Sequence, residues 1–574
     1  MIERYLKQLT YSSYEDFMQN FKVEIPENFN FGYDIVDEWA RIEPEKEAII
    51  WTDGLGNVKR VNYREFKETS DRVASYFLSL GIKKGDRVML ILKRHLEWWY
   101  IMVALHKIGA VAIPSSYLLK AHDIAYRLNE ARVKTIITCG DTDLIKSVET
   151  AHKLCFLLEN VISVGPIVPE GWLDFWQGVN NAAPFVRPDW KISRDDNMMI
   201  YFTSGTSSMP KMVVHDFQYP LTHIMTGHIW QNLTPECRQL TLTDTGWAMC
   251  IWGQFYPQIL CGTTVVLYDF PEKFHAERLL QVLSDFKITT FFAPPTVYRF
   301  LLKEDWSAYD LSSLRYCTVA GEALYPKIFD EWERRTGGIK MKECFGQTET
   351  PIVVGTYPWC ESKPGSMGLP NPQIPVDLIN DNGERCKVGE RGHLVIKLRN
   401  TNLTQQQSEA ADNQPSANVR PLGLFKEYFR NPELTSKTHD GEYYDTGDMA
   451  YRDEDGYYWY VSRSDDLIKS SGYRISPFEV ESVLMMHPAC QECAVTAVPD
   501  EIRGQLVKAT IVIKPDYREY VANQPRERVV KHIQDFVKSF TAPYKYPRVI
   551  DIVEELPKTF NGKIRRAEIR KGDQ

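Results

Sequence analysis

Positive charge is in short supply here: 68 Lys and Arg face 76 Asp and Glu, a formal net charge of -8. That balance argues against nucleic acid as a principal partner, because backbone binding rests on neutralisation of phosphates by Lys and Arg. A cysteine framework is also missing. The eleven cysteines are odd in number and scattered, which fits a reducing, cytoplasmic setting better than secretion. The one close pair, Cys490 and Cys493, has no second pair or ligand set nearby, and Ala494 to Val498 continues as a strand, so a structural role outweighs a redox or zinc site. Met1 to Asn28 has no apolar core and is no signal peptide. Trp247 to Tyr268 carries no Asp, Glu, Lys or Arg and is long enough to cross a bilayer, for which about 20 apolar residues suffice. Gln254, Pro257, Gln258, Gly262 and two threonines interrupt it, however. A buried helix followed by a buried strand, Thr263 to Tyr268, is the better reading, and no transmembrane segment is expected.

With 574 residues, 43% hydrophobic and 25% charged, the chain has globular composition and exceeds the roughly 250 to 300 residues at which single cores stop growing. Two or three domains are expected. The most distinctive stretch is Thr203-Ser-Gly-Thr-Ser-Ser-Met-Pro-Lys211. Small residues let backbone N–H groups close on phosphate oxygens, hydroxyls add donors, and a lysine supplies a compact cation. It lies between two extended apolar runs, Met198 to Phe202 and Met212 to Val214. A Walker loop instead joins strand to helix and needs Gly before its Lys and Ser or Thr after it. Pro210 and Met212 stand at those places, which argues against a P-loop kinase or GTPase. A Ser/Thr-rich solvated turn is the bland alternative, so companions elsewhere must decide.

Elements alternate along the chain. Asn62 to Leu80 is helical, with Phe66, Val73 and Phe77 on one face and Gly81 at its end; Arg87 to Leu92 is extended, Trp98 to Ile108 helical and Ala110 to Pro114 extended, with further short strands at Thr135 to Thr138 and Val161 to Val164. Beyond the phosphate-like loop the alternation repeats, with strands at Thr263 to Leu267, Thr289 to Phe292 and Tyr316 to Val319 around helices at Ala276 to Phe286 and Pro295 to Leu302. This predicts an α/β fold with two doubly wound, largely parallel sheets. From Val376 the character turns to β, and Thr401 to Asn418 reads as a flexible polar loop. A last unit of domain size begins near Asp466 and holds a helix over Pro477 to Met486. It closes on a basic run, Lys563, Arg565, Arg566, Arg570 and Lys571, whose bland reading is a solvated tail.

Seven stretches then occur in one order: Thr203 to Lys211; Gly321-Glu322-Ala323-Leu324; Phe345-Gly346-Gln347-Thr348-Glu349; Tyr444-Asp445-Thr446-Gly447-Asp448; Arg463-Ser464-Asp465-Asp466; Ser471-Gly472-Tyr473-Arg474; and Pro557-Lys558-Thr559-Phe560-Asn561-Gly562-Lys563. Together they resemble the adenylate-forming superfamily of acyl-CoA synthetases, peptide adenylation domains and luciferases, over about Val61 to Lys571. The resemblance implies a large N-terminal domain, residues 1–464, with a β-rich subdomain, and a small mobile α+β C-terminal domain, residues 465–574, hinged at Asp465. It implies that Thr203, Ser204, Gly205, Thr206 and Lys211 hold ATP phosphates, Thr206 also counting as catalytic. Gly321, Glu322 and Ala323, with Glu343, Cys344 and Phe345, would line the adenine slot beside Gln347 and Thr348. Asp448 would accept from both ribose hydroxyls, with Arg463 near the ribose and Arg474 near the phosphates. Glu349 would bind Mg²⁺, Lys563 would bridge the acyl carboxylate and the α-phosphate, and Gly472 would let the pantetheine arm of coenzyme A pass. Two departures stand out: Ser208 where Gly is common, and Asn561 where Ser is common. Neither removes a charged group.

The acyl pocket implied by the resemblance is formed by Trp247, Trp252, Gly253, Val319, Ala320 and Gly346. Peptide-type domains carry an aspartate early in that pocket, whereas Thr245 to Gly253 has no acidic residue. A small carboxylic acid without an amine is therefore expected as substrate. No carrier domain follows Gln574, so free coenzyme A is the expected acceptor. The Asp244-Thr245-Gly246-Trp247 and Gln347-Thr348-Glu349 stretches look most like the acetyl-CoA and medium-chain branch. Acetate-specific relatives have Trp where this chain has Gly346, and the glycine is expected to open room for a medium-chain, branched or aromatic acid. A peptide-type adenylation module and a non-catalytic adenylate-binding protein are the competing readings; Lys563 and Glu349 speak against the second. Monomer and homo-oligomer both remain open.

Overall fold

The computed structural model of the chain describes residues 1–203, 210–270, 274–322, 324–398, 420–439, 441–464, 466–470, 473–500, 504–541, 545–558 and 563–571. The polar loop expected at Thr401 to Asn418 lies outside them. Two large sheets dominate. The first runs in the order Glu427–Tyr428, Lys211–Asp216, Asn197–Thr203, Val111–Pro114, Arg87–Ile91, Thr135–Cys139, Asn160–Val164, Leu173–Asp174, parallel from Asn197–Thr203 onward and antiparallel before it. The helix Tyr63–Ser79 forms where expected: the Asn62 side chain accepts from the Glu65 N–H at 2.9 Å, and Gly81 takes φ +80° just beyond its end.

The second sheet departs from expectation in extent. Its parallel part, Glu47–Thr52, Thr264–Tyr268, Arg238–Thr241, Thr290–Ala293 and Tyr316–Val319, continues through Met341–Gln347 into the antiparallel strands of the β-rich region. One strand belongs to both halves. Its first residues pair in parallel with Tyr316–Val319, and Cys344 to Gln347 pair antiparallel with Thr350–Gly355. The β-rich region and the second doubly wound unit thus share thirteen strands of one hydrogen-bonded sheet. Glu47–Thr52, distant in sequence, joins it because its β-branched residues Ile49 and Ile50 are buried opposite Val265 and Val266.

Helices from the two sheets pack against each other. Glu97–Ile108 is buried on nearly every side, as a helix that is apolar all round should be. Its Trp98 ring meets Phe255 edge-on at 5.4 Å, and Trp99 Nε1 donates to the Gln254 carbonyl at 2.8 Å. The uncharged stretch singled out as a bilayer candidate is here a buried helical turn, the helix Tyr256–Cys261, and the strand Thr264–Tyr268. Among the described residues, no helix is long and apolar enough to cross a membrane.

The C-terminal unit has its own core. Cys490–Asp500, Gly504–Ile513 and Val549–Val553 form a three-stranded sheet, against which Val480, Leu484, Ile533 and Val537 pack. All eleven cysteines are free, Cys490 and Cys493 among them, buried in the first of these strands. The basic run at the end is more than a solvated tail. Arg566 pairs with buried Glu481 at 2.7 Å, and Arg570 with Asp466 at 2.5 Å, tying the last helix, Arg566–Lys571, back onto the unit.

Candidate active site

The expected strand, loop and strand are present. Asn197–Thr203 and Lys211–Asp216 are antiparallel neighbours with Thr203 opposite Lys211; Ser204, Gly205 and Thr206 lie outside the described residues. The Lys211 ammonium stands 5.3 Å from the centre of the Tyr428 ring, and the Tyr428 hydroxyl donates to Glu349 Oε1 at 3.2 Å. Burial pushes the Glu349 carboxyl above its ordinary pKa. A backbone hydrogen bond, Tyr428, and the charges of Lys211 and Arg463 pull the other way. Among the described residues no three His, Cys, Asp or Glu side chains cluster as a metal cage. The half-buried Glu349 carboxylate fits Mg²⁺, which is ordinarily held by one or two carboxylates together with substrate phosphates and water.

A second cluster surrounds Asp448. Gln347 Nε2 donates to Asp448 Oδ2 at 2.6 Å and to the Thr446 carbonyl at 2.8 Å; Arg463 Nη1 donates to the same two groups at 3.0 and 3.1 Å. The Tyr444 hydroxyl donates to Gln347 Oε1 at 3.3 Å, which fixes the amide's orientation. Gly447 lies at φ +72°, and a Cβ there would come 2.8 Å from Arg463 Nη2. The glycine lets the guanidinium close on Asp448. Burial pushes the Asp448 carboxyl up to about 6, opposed by Arg463, by Gln347 and by the charge of Lys563. The last contribution sets the exposed Lys563 within electrostatic reach of Asp448.

The strand shared by the two sheet halves supplies a third group. Glu343 and Cys344 are buried, and Phe345 is half-buried beyond them. Burial raises the Glu343 carboxyl well above its usual range against one backbone hydrogen bond from Leu324, and its Oε2 has no hydrogen-bond partner among the described residues. Gly321 lies at φ +92°, where a Cβ would meet the Met249 methyl at 3.1 Å. Glu322 turns toward Thr296, whose hydroxyl donates to it at 2.8 Å, and toward Arg299 at 3.9 Å. Ala323 lies outside the described residues.

The expected acyl wall is built on a π-helical turn, Ile251–Phe255. Wide helical turns release carbonyls from their usual partners, and three in a row are caught here by side chains: Trp252 by Gln231 Nε2 at 2.8 Å, Gly253 by the Thr241 hydroxyl at 2.7 Å, and Gln254 by Trp99. Those partners hold Trp252 in place, and its Nε1 donates to the Tyr219 hydroxyl at 3.2 Å. Trp252 closes over Gly346. A Cβ on Gly346 would come 2.5 Å from the Trp252 ring and 2.6 Å from the Pro351 carbonyl. Trp252 thus takes the place of a side chain on Gly346, where the glycine is expected to open room for several carbons. A Cβ on Gly253 would come 2.4 Å from the Thr241 hydroxyl and 2.8 Å from the Phe292 ring, so this glycine faces packed side chains. Val319 and Ala320 are buried at the end of their strand, and Trp247 opens the helical stretch, its carbonyl 3.5 Å from the Tyr201 hydroxyl.

Residues 36–403 match the AMP-binding enzyme family and residues 479–563 its C-terminal domain. The chain belongs to the AMP-binding enzymes. It is 39% identical to acyl-coenzyme A synthetase ACSM3, mitochondrial, of Mus musculus, over 98% of this chain and 93% of that one, and 38% identical to ACSM5, mitochondrial, of Rattus norvegicus, over 96% and 91%. Its structure is similar to that of the anthranilate CoA ligase AuaEII bound to anthranoyl-AMP, with a TM-score of 0.83 and 30% identity over 96% of this chain and 98% of that one. A benzoate CoA ligase from Burkholderia xenovorans LB400 gives 0.78 and 26%, over 94% and 100%. The chain is thus an AMP-forming acyl-CoA synthetase, a ligase that takes ATP, a carboxylic acid and coenzyme A as substrates.

Within this AMP-binding enzyme the structure brings together Lys211, Gln347, Thr348, Glu349, Asp448, Arg463 and, more distantly, Lys563. Asp465 and Gly472 lie outside the described residues. Arg474 belongs to the strand Tyr473–Ile475, opposite Lys469. Sequence reading missed Gln231, Thr241, Tyr219 and Tyr428, and gave Tyr444 no role of its own. Buried glutamines and tyrosines carry a faint signal along a chain, because only the fold says what they face.

Proposed function

We propose that this synthetase activates a medium-chain, branched or aromatic carboxylic acid and that the residues gathered above divide the work of its two half-reactions. The carboxylate and the α-phosphate are both anionic, so the barrier to acyl-adenylate formation is largely electrostatic. Lys563 carries that load at the α-phosphate. Thr203, Lys211 and the intervening loop, Thr206 included, hold the leaving pyrophosphate. Glu349 holds Mg²⁺, which when bound neutralises phosphate charge. Asp448 accepts from the ribose hydroxyls, with Gln347 and Arg463 fixing its carboxylate. The adenine lies between Gly321 and the Glu343 to Phe345 segment. Coenzyme A then displaces AMP after the C-terminal unit, residues 465–574, turns about Asp465 and brings Gly472 inward, with Arg474 nearer the phosphates in the first step.

The observation that carries this reading is the meeting of Glu349, Lys211 and Asp448, far apart in sequence, with Lys563 close enough to act on Asp448. The acid class is supported by the absence of an acidic residue from Thr245 to Gly253, by the indole wall, and by relatives named as acyl, anthranilate and benzoate synthetases. Each methylene buried against such a wall favours binding by about 0.8 kcal/mol. Eleven free cysteines support a reducing compartment. We assign it to the cytoplasm; the ACSM relatives are named mitochondrial, and cell fractionation distinguishes the two.

The test is pyrophosphate exchange over acids of graded length, branching and ring content, repeated with Lys563→Ala. Exchange is expected with medium or aromatic acids and weakly with acetate. Lys563→Ala should lose it by about a hundredfold or more while still forming thioester from preformed adenylate. Equal loss of both steps would sink the division of labour, and exchange driven by amino acids would favour the peptide-type reading.

A further inference from the structure

The turn Gly346 to Glu349 is gripped from one side by a group that the proposed chemistry does not use. His215 lies four residues after Lys211 on the strand Lys211–Asp216, so both side chains point to the same face. Lys211 reaches toward Glu349 over the Tyr428 ring. His215 is buried, and its Nε2 lies 2.8 Å from the Thr348 carbonyl. A carbonyl only accepts, so Nε2 carries the proton and donates. The imidazole stacks on Tyr219 at 3.8 Å and 22°, and burial holds its pKa near 3, so it stays a neutral donor throughout the working pH range. The Tyr219 hydroxyl in turn accepts from Trp252, whose ring covers Gly346. On the far side the Glu349 carbonyl accepts from the Phe425 N–H at 2.7 Å. The carbonyls on either side of the Glu349 side chain, those of Thr348 and of Glu349 itself, thus each accept from a named donor, and His215 supplies the donor on the phosphate-loop strand.

We propose that His215 is a positioning residue for adenylate formation: by donating to the Thr348 carbonyl it fixes the backbone from which Glu349 presents its carboxylate, and through Tyr219 it ties that backbone to the indole wall of the acyl pocket. This rests on Glu349 being the group that meets the metal and the triphosphate. Ribose recognition lies elsewhere, at Asp448, Gln347 and Arg463, and does not depend on His215.

Three variants separate the hydrogen bond from the packing. His215→Phe keeps a ring on Tyr219 and loses the donor; His215→Gln loses the ring but its amide nitrogen reaches the place of Nε2; His215→Asn has the same amide one methylene short. Calorimetry of ATP binding with and without Mg²⁺, and the kcat and ATP KM of pyrophosphate exchange, are measured for each folded protein. His215→Phe and His215→Asn should lose about tenfold or more of the Mg²⁺-dependent gain in ATP affinity and about ten- to a hundredfold in kcat, with metal-free ATP affinity unchanged. His215→Gln should stay within about threefold of wild type. Should His215→Phe not fold, the contrast between the two amides decides alone. Wild-type behaviour of His215→Asn, or equal impairment of His215→Gln and His215→Asn, overturns the proposal. Glu349→Gln is the control: if it retains full exchange, the reading of Glu349 itself has failed, whereas its loss beside an unaffected His215→Asn rejects only the role of His215.

Discussion

Asp448, proposed to hold the ribose, shows how burial tunes a carboxyl group. Water is withdrawn from the carboxyl faster than Arg463 and Gln347 can compensate, and its pKa settles at about 6. A ribose needs the ionised form, because only a carboxylate can accept from both hydroxyls. For an acid with a raised pKa, the charged form is lost as pH falls through that value. The ATP KM should therefore rise about tenfold per unit below pH 6 in the ligand-free enzyme, while kcat at saturating ATP changes less. Asp448→Asn should show a high, pH-independent ATP KM; an unaltered pH profile would mean that another group titrates. Gly346 teaches the opposite lesson. Its missing side chain was legible in the sequence, but the neighbour that takes the space was not, because Trp252 arrives from a turn almost a hundred residues earlier.

At the level of elements, the π-helical turn Ile251–Phe255 is the part that local propensity would not produce. Its carbonyls cannot all find partners within the helix, and the turn persists because Gln231, Thr241 and Trp99 meet them from three directions. Removing one partner leaves a buried acceptor unsatisfied at a cost of about 1–3 kcal/mol. Gln231→Leu should lower the free energy of urea unfolding by that amount and, because it frees the Trp252 carbonyl, broaden the range of acids used in pyrophosphate exchange. Lost stability with an unchanged acid profile would show that Trp252 is held by its other contacts. The strand Met341–Gln347 makes a similar point. Its seven residues are parallel at the start and antiparallel at the end, and that switch carries the chain from the buried Glu343 to the half-buried Gln347.

Across the whole molecule the small unit is docked on the large one, and its first helix, Pro477–Met486, supplies part of that contact. Phe478 stacks on Tyr325 at 5.4 Å and 20° and meets Tyr460 at 6.2 Å, and Glu479 pairs with Arg391 at 3.2 Å. If the small unit turns between the half-reactions as proposed, this docked arrangement should depend on contacts of modest strength. An aromatic pair is worth about 0.5–1.5 kcal/mol. Phe478→Ala should therefore slow pyrophosphate exchange about two- to tenfold while leaving thioester formation from preformed acyl-adenylate unchanged or faster. Equal slowing of both steps would mean that Phe478 serves the fold of the small unit and not its docking.

The sequence by itself determined the elements and the chemistry. Apolar runs of strand length and helical spacing set the α/β character, and seven short stretches in order named the reaction, since phosphate, ribose and carboxylate each demand particular side chains close together in the chain. What those stretches face was decided only by the fold. Hydrogen bonds between Tyr428 and Glu349, Gln347 and Asp448, and His215 and Thr348 join residues between 79 and 133 positions apart. No local pattern encodes such pairings, because they exist only when two sheets bring their strand ends to the same place.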